Sequence, residues 1–167
     1  MASLINIRKI ALEDVPAICR IYNYYIEHTV ITFETSPVSE NEMSQRVKSI
    51  ISDGFPYYVA TINDKIAGYY YLNNWNNRCA YALTKEVTVY LDKECTGNGL
   101  GTLLYQHLFE NLDKEKVHVL IAGICIPNEK SVRLHEKFGF KQVSNMKEIG
   151  RKFDEWRDVG HWQLVMT

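Results

Sequence analysis

Three glycines at alternate positions join an apolar, β-branched segment to an amphipathic one. They are Gly97, Gly99 and Gly101. Residues 87–91 precede them, and leucines at helical spacing follow from Leu100. Glycine adopts positive φ readily and lets a ligand approach the backbone without meeting a Cβ atom. The start of a helix presents backbone N–H groups to an anion. Residues 97–102 are therefore predicted to bind a phosphate or pyrophosphate group.

Two common phosphate loops fit this segment poorly. The P-loop of nucleotide triphosphatases needs a lysine after its glycines, and Leu100-Gly101-Thr102 contains none. A Rossmann loop has the spacing G-x-G-x-x-G, and its acidic ribose ligand would fall near Leu120, inside an apolar segment. A glycine turn that binds no ligand remains an alternative for the loop taken by itself.

A second group of candidate residues lies one predicted strand downstream. It includes Asn128, Ser131 and His135 and ends in Lys137-Phe138-Gly139-Phe140. Together with the glycine loop, it resembles the GCN5-related N-acetyltransferase (GNAT) superfamily. A wider ordered set, covering nearly the whole chain, resembles the phosphinothricin and methionine sulfoximine N-acetyltransferase branch. That set comprises Ile21-Tyr22-Asn23, Thr32-Phe33-Glu34, Trp75, Arg78, Ala80-Tyr81, Glu86, Val89-Tyr90-Leu91, residues 97–101, His135, Ile149-Gly150-Arg151-Lys152-Phe153, Trp156 and Asp158.

The resemblance implies that the glycine loop binds the pyrophosphate of acetyl-coenzyme A. The residues implied in this contact are Gly97, Asn98, Gly99, Leu100, Gly101 and Thr102. The backbone of Val89, Tyr90 and Leu91 is expected to meet the acetyl and pantetheine groups, where their strand separates from the strand at 117–126. Asn128 is expected to contact the cofactor there, the alternative being the turn role that is usual for a strand-end asparagine.

Transfer to an amine requires a base, because an alkyl amine is mostly protonated at neutral pH. Glu86 lies in an apolar strand at the position that the branch uses as base, and its apolar neighbours are expected to raise its pKa. The alternative is an exposed structural glutamate. His135 is a candidate proton donor for the leaving thiolate, because imidazole titrates near neutral pH. A steric contact with the cofactor is the alternative for His135.

Arg78, in a polar loop after Trp75, is the candidate ligand for a substrate carboxylate, with a surface arginine as the alternative. Glu86, Val87 and Thr88 are expected to line the acceptor site, although Val87 and Thr88 depart from the triplet common in the branch. The implied activity is acetyl transfer from acetyl-coenzyme A to the amino group of a small amino acid or analogue. The resemblance further implies a direct ternary-complex mechanism without a metal, and a homodimer.

Two alternatives remain open. The first is an enzyme of the same fold that acts on another amine: a polyamine, an aminoglycoside, a protein N-terminus or a lysine. A large acceptor of that kind would need an open, acidic groove, whereas Arg78 favours a small carboxylate. The second is a non-catalytic acyl-coenzyme A binding module, which would keep the glycine loop and have no need of Glu86.

Composition excludes several classes of partner. Nineteen basic against twenty acidic residues leave a net charge of −1, so no cationic surface for nucleic acid is expected. The apolar runs are far shorter than a membrane span, and residues 1–3 lead directly into an alternating strand pattern without a signal peptide. Four cysteines without a CxxC pair indicate reduced thiols in a cytoplasmic protein, with Cys95 placed where a thiol pKa could fall. The histidines show no metal-ligand spacing.

Periodicity predicts a mixed α/β chain around one sheet, and the resemblance implies a single N-acetyltransferase domain over residues 1–167 with a mixed, mostly antiparallel twisted sheet flanked by helices. A hydrophobic content of 46% supports a sizeable core. The predicted strands are 4–10, 57–62, 66–75, 80–91, 117–126, a segment from 140 onward, and 159–166. The predicted helices are 14–28, capped by Asp14, then 39–52, opened by a Ser39–Glu42 capping box, one from Leu100, and 131–137. The aromatic segment 149–162 is the expected dimer interface or substrate lid.

Overall fold

The computed structural model describes residues 4–167; the expectation about a signal peptide concerns residues 1–3, which lie outside the described part of the chain. The strands are β1 (Ile5–Lys9), β2 (Tyr57–Ile62), β3 (Lys65–Asn74), β4 (Thr84–Leu91), β5 (Val119–Ile126), β6 (Lys141–Lys152) and β7 (Glu155–Val165). The helices are α1 (Val15–His28), α2 (Glu40–Ser52), α3 (Leu100–Asn111) and α4 (Glu129–Lys137).

The seven strands form one sheet in the order β1-β2-β3-β4-β5-β7-β6. β4 and β5 pair in parallel, whereas β1–β2, β2–β3, β5–β7 and β6–β7 pair antiparallel. This arrangement confirms the predicted mixed α/β class and its mostly antiparallel sheet. Among the helices of residues 4–167, none combines the length and the apolar character needed to cross a bilayer.

The chain divides into two compact units, and the first comprises residues 4–24, Pro37–Asn73 and Thr88–Asn111. It holds β1 to β3, most of α1, all of α2 and α3, and the second half of β4. Its core is built from fully buried side chains such as Ile18, Val47 and Leu104. These apolar residues recur at helical spacing on one face of their helices, which explains why the helices form there.

The second unit comprises Tyr25–Ser36, Asn74–Val87 and Leu112–Thr167. β7 pairs with β5 along the whole of β5, from Val119–Val165 to Ile126–Asp158, and with β6 on its other side. Leu120, Phe140 and Trp162 are buried in this unit. Parallel pairing brings only Thr84–Glu86 of β4 alongside Val119–Ile121 of β5.

The loop after α1 is fastened to β6 by two contacts within the second unit. Lys152 Nζ donates a hydrogen bond to the carbonyl oxygen of Thr32 at 2.8 Å, and both residues are buried. The ring of Phe33 lies directly against Gly150, so closely that a Cβ atom at Gly150 would overlap it.

Three local predictions are confirmed. The hydroxyl of Ser39 accepts the N–H of Glu42 at 3.1 Å and caps α2. The hairpin turn between β2 and β3 has positive φ at Asn63 and Asp64. Gly139, with φ of +89°, follows Phe138, the C-cap residue of α4.

Other local predictions are corrected. Asp14 does not cap α1; its carboxylate accepts the N–H of Ala11 at 2.8 Å and pairs with Arg8. β4 begins at Thr84 rather than at residue 80, because Cys79–Tyr81 form a 3-10 turn closed by hydrogen bonds. The last strand begins at Glu155 rather than at residue 159, since it forms a long hairpin with β6 through a turn with positive φ at Phe153 and Asp154.

Candidate active site

In the first unit, the glycine loop is exposed, and its backbone has positive φ at two of its glycines. Gly97 and Gly99 have φ of +82° and +80°, and a Cβ atom at either would meet nothing within 4 Å. Glycine is required there by the left-handed backbone rather than by crowding. The exposed surface that results is open to a ligand.

The loop delivers the chain into α3 without a side-chain cap. The carbonyl of Gly99 accepts the N–H of Leu103 at 3.1 Å, so Gly99 occupies the N-cap position and has no side chain to bond the helix end. Helix geometry leaves the first backbone N–H groups without partners inside the helix, together with the positive end of the helix dipole. The start of α3 at Leu100 can therefore receive an anion.

The strand segment just before this loop is held tightly by β3. A Cβ atom at Gly68 would lie 2.9 Å from the carbonyl oxygen of Tyr90 and 2.7 Å from Leu91 Cδ2. The N–H of Asp92 also donates to the carbonyl of Ala67 at 2.8 Å. These contacts hold the backbone of Tyr90 and Leu91, which the sequence predicts, together with Val89, to meet the acetyl and pantetheine groups.

In the second unit, Glu86 combines exposure with a perturbed pKa. Its residue surface is accessible to water, and within residues 4–167 its carboxylate makes no hydrogen bond or ion pair. Burial by the surrounding protein nevertheless raises the pKa of Glu86 above its usual range. A carboxylate that stays open to water but loses part of its hydration is a stronger proton acceptor than an ordinary glutamate.

Strand alternation separates the residues on either side of Glu86. Lys85 and Val87 are buried, and successive side chains of a strand point to opposite faces. Thr88 therefore shares the face of Glu86, whereas Val87 points into the opposite face. Of the two neighbours that the sequence predicts to line the acceptor site, only Thr88 lies on the face of Glu86.

Arg78 lies in an exposed loop with a defined structure. Its backbone N–H donates to Asn76 Oδ1 at 3.0 Å, and its carbonyl accepts the N–H of Tyr81 at 2.9 Å. Trp75 and Tyr81 form an edge-to-face pair with ring centroids 5.3 Å apart. Among the described residues, the guanidinium has no ion pair or hydrogen bond, so it is available to an external carboxylate.

Sequence reasoning did not identify Lys85, a residue of β4, as a contact of this loop. Its ammonium group donates to Asn74 Oδ1 at 2.8 Å and to the carbonyl of Ala82 at 2.6 Å. Burial lowers the pKa of Lys85. The signal in the sequence is that Lys85 alternates with Val87 and Val89 on one face of a strand, where a buried charge needs hydrogen-bond partners.

Asn128 precedes α4 as its N-cap residue, and His135 lies within α4. Asn128 Oδ1 accepts the N–H of Ser131 at 3.2 Å and caps the helix. His135 is 7% exposed, its Nδ1 lies 2.7 Å from the carbonyl oxygen of Ser131, and its ring packs edge-on against Phe140. Burial lowers the pKa of His135 despite the bond to Ser131. The carbonyl requires a proton on Nδ1, so the favoured form is a neutral imidazole with that N–H already donated.

All four cysteines are free thiols, and Cys95 lies just before the glycine loop. Burial and the charges of Asp92 and Glu94 raise the pKa of Cys95, which corrects the suggestion that the glycine loop might lower it. Within residues 4–167, no group of three or more His, Cys, Asp or Glu residues is arranged to hold a metal ion.

Residues 7–161 match the family model described as acetyltransferase (GNAT) domain. The chain therefore belongs to the GNAT acetyltransferase family, as the motifs in its sequence indicated.

Individual acetyltransferases are similar to this chain over most of its length. Phosphinothricin N-acetyltransferase of Streptomyces coelicolor is 37% identical over 163 residues, covering 95% of this chain and 95% of the relative. L-methionine sulfoximine/L-methionine sulfone acetyltransferase of Salmonella typhimurium is 30% identical, covering 92% of this chain and 90% of the relative. The structure of a phosphinothricin acetyltransferase from Sinorhizobium meliloti in complex with acetyl-coenzyme A is 31% identical with a TM-score of 0.92, covering 99% of this chain and 89% of that one.

Proposed function

We propose that this enzyme transfers the acetyl group of acetyl-coenzyme A to the α-amino group of a small amino acid or analogue of the phosphinothricin or methionine sulfoximine type. Acetyl-coenzyme A supplies the activated acyl group as a thioester. Similarity to the relatives described above supports the substrate class. The chemical step is a direct attack by the amine within a ternary complex, with no acyl-enzyme.

One observation carries this proposal: Glu86 is open to water, free of internal partners, and has a pKa raised by burial. The acceptor arrives as an ammonium ion, which cannot attack. Glu86 removes one proton, and the neutral nitrogen attacks the thioester carbonyl carbon. The C–S bond then breaks, and the second proton that the nitrogen loses goes to the departing thiolate, so that coenzyme A leaves as a free thiol. General-base catalysis of this kind contributes about 10²–10⁴-fold to a rate.

The chain's own residues suit the cofactor. The start of α3, with Gly97, Asn98, Gly99, Leu100, Gly101 and Thr102, holds the pyrophosphate through backbone N–H groups. The backbone of Val89, Tyr90 and Leu91 contacts the acyl and pantetheine groups, and Asn128 contributes from the start of α4. Support comes from the left-handed glycines, the uncapped helix start and the rigid backing of β4 by Gly68.

On the acceptor side, Arg78 binds the α-carboxylate and Thr88 lines the site beside Glu86. The exposed, unpaired guanidinium supports this role. The proton-donor role predicted for His135 is not carried forward, because a buried neutral imidazole whose N–H bonds Ser131 is a weak acid. His135 instead packs α4 and can contact the cofactor sterically.

The decisive experiment is an acceptor panel read by release of free thiol. We expect L-phosphinothricin, L-methionine sulfoximine or a related amino acid to be acetylated with the highest kcat/KM. Each is compared with its amine lacking the carboxylate, and with a polyamine, an aminoglycoside and a peptide N-terminus. A higher kcat/KM for any amine that is not an amino acid would contradict the proposed substrate class. If no compound in the panel led to thiol release, the result would favour an acyl-coenzyme A binding module.

We further propose that the enzyme is a cytoplasmic homodimer. The free cysteines are consistent with a reducing compartment. The tip of the β6–β7 hairpin exposes large apolar side chains: Ile149 is 55% exposed, Phe153 54% and Trp156 60%. Such a patch favours an interface. Light scattering should give twice the mass of 19.4 kDa, and Trp156→Glu should shift it to the monomer.

A further inference from the structure

The loop that carries Arg78 is closed at both ends by one buried ammonium group. Lys85 Nζ bonds Asn74 Oδ1 at 2.8 Å and the carbonyl of Ala82 at 2.6 Å. Asn74 and Ala82 are the residues that flank the segment 75–81. Lys85 itself is only 7% exposed. The two ends of the loop are therefore held together by hydrogen bonds to one ammonium group.

Further contacts fasten the same loop to the start of β4. The N–H of Trp75 donates to the carbonyl of Thr84 at 3.4 Å, and the ring of Trp75 meets that of Tyr81 edge-on. Thr84 and Lys85 directly precede Glu86 in β4. The loop of Arg78 and the candidate base thus share one short, internally bonded piece of chain.

A buried lysine has an unfavourable desolvation cost that its hydrogen bonds only partly offset. An apolar side chain of similar volume would fill the same space without that cost, so stability alone does not explain an ammonium group here. What the ammonium group adds is directional bonding to two points of the loop that lie eight residues apart, residues 74 and 82.

The acceptor chemistry makes such bonding useful. In an α-amino acid, the ammonium group and the carboxylate are attached to the same carbon atom, so their separation is fixed. A base and a carboxylate ligand can engage both only if their own separation is also fixed. An amine without a carboxylate imposes no such requirement.

We propose that Lys85 is a positioning residue: by closing the loop 75–81 from the opposite face of β4, it keeps Arg78 in register with Glu86 and so confers preference for acceptors with an α-carboxylate. This inference rests on the proposed function, specifically on carboxylate binding by Arg78. Lys85 does not touch the acceptor, since strand alternation directs it away from the face of Glu86.

Lys85→Met removes the donors and keeps the approximate volume, and Lys48→Met, at an exposed position of α2, is the matched control. With L-methionine sulfoximine, we expect Lys85→Met to lose ~10-fold or more in kcat/KM, mainly through KM, because small misplacements of binding groups are costly. With the corresponding amine lacking the carboxylate, the loss should stay within about twofold. Hydrogen exchange at residues 75–81 should accelerate in Lys85→Met alone.

A double-mutant cycle with Arg78→Ala separates this inference from the proposed function. If Lys85 acts through Arg78, adding Lys85→Met to Arg78→Ala should cause no further loss of preference for the acceptor that has a carboxylate. Losses that multiply, or equal losses on both acceptors in Lys85→Met, would overturn the role of Lys85 while Arg78→Ala still supports carboxylate binding. Failure of Arg78→Ala to discriminate would instead overturn the proposed function. If Lys85→Met does not fold, Asn74→Ala removes one of the two bonds and should show the same acceptor-dependent loss in smaller measure.

Discussion

Arg8 grips Asp14 with both ends of its guanidinium group: Nη1 donates to Oδ2 at 2.7 Å and Nη2 donates to Oδ1 at 2.8 Å. The carboxylate also accepts the backbone N–H of Ala11. These bonds, with Arg8 first, hold the pKa of Asp14 below its usual range although burial opposes them. The pair joins β1 to the entrance of α1.

Asp14→Asn should therefore destabilise the protein in a pH-dependent way. The folded pKa of Asp14 lies below the unfolded one, so its contribution is complete above about pH 4 and disappears as pH falls through the folded pKa. We expect a loss of about 1–2 kcal/mol at neutral pH, moderated because Arg8 is partly exposed. Urea unfolding at neutral and acidic pH measures the difference in free energy of unfolding between wild type and Asp14→Asn. A difference that is the same in acid as at neutral pH would contradict the prediction.

Glu86→Gln should act on turnover and on its pH dependence. Glu86 must be ionised to accept a proton, and its raised pKa shifts the acidic limb of kcat/KM to higher pH than an ordinary glutamate would give. We expect ~10²-fold loss at neutral pH, loss of that limb, and recovery at high pH, where the amine deprotonates unaided. Glu115→Gln, an exposed loop change, is the control. A small loss that is uniform across pH would make Glu86 structural.

Gly99→Glu should weaken acetyl-coenzyme A binding at least tenfold, ~1.4 kcal/mol, because it places negative charge at the start of α3. Gly54→Glu is a close control: Gly54 has φ of +79°, and a Cβ atom there also meets nothing within 4 Å. Both variants share the backbone strain, so calorimetric titration isolates the effect of position. Equal cofactor affinity in the two variants would remove the loop from the cofactor site.

Arg78→Ala should distinguish acceptors by their carboxylate. We expect activity on a free amino acid to fall by about 2–3 kcal/mol in kcat/KM, with little change for the matched amine, since a charge-assisted bidentate contact is lost. Arg46→Ala, on α2, controls for the loss of a surface arginine. Equal losses on the two acceptors would exclude carboxylate recognition by Arg78.

His135→Gln should leave the pH profile of turnover intact. Burial lowers the pKa of His135, so the neutral form already predominates at neutral pH. We expect a lower melting temperature from lost packing against Phe140, with a change in kcat of less than about tenfold. A larger fall in kcat that also removes a titration step would restore the proton-donor role.

The features that sequence predicted well depend on a few neighbouring residues. The glycine loop, the Ser39 cap and the turn at Asn63 and Asp64 are each set by local backbone preference, and the structure shows all three. The family and the sheet class followed from motifs distributed over nearly the whole chain. Such patterns can be recognised in a sequence without knowledge of the tertiary contacts.

The features that sequence missed depend on which partner a polar group finds. Asp14 has the composition of a helix cap, but Arg8 and the N–H of Ala11 compete for it from the preceding segment. Alternation around Glu86 predicts two faces but not which one is buried, so neither the inward direction of Val87 nor the closure of the loop by Lys85 was accessible. The predicted start of β4 was wrong for a similar reason, since Cys79–Tyr81 form a separate 3-10 turn.

The contact between Phe33 and Gly150 has a consequence for the paths along which this sequence can change. The ring occupies the space that a Cβ atom at position 150 would need, so a side chain there requires the Phe33 ring, which is 37% exposed, to move aside. A larger residue at 150 therefore costs less where position 33 already has a small side chain, and the effects of the two substitutions are expected not to add. Two sites more than one hundred residues apart are thus coupled in the substitutions that they accept.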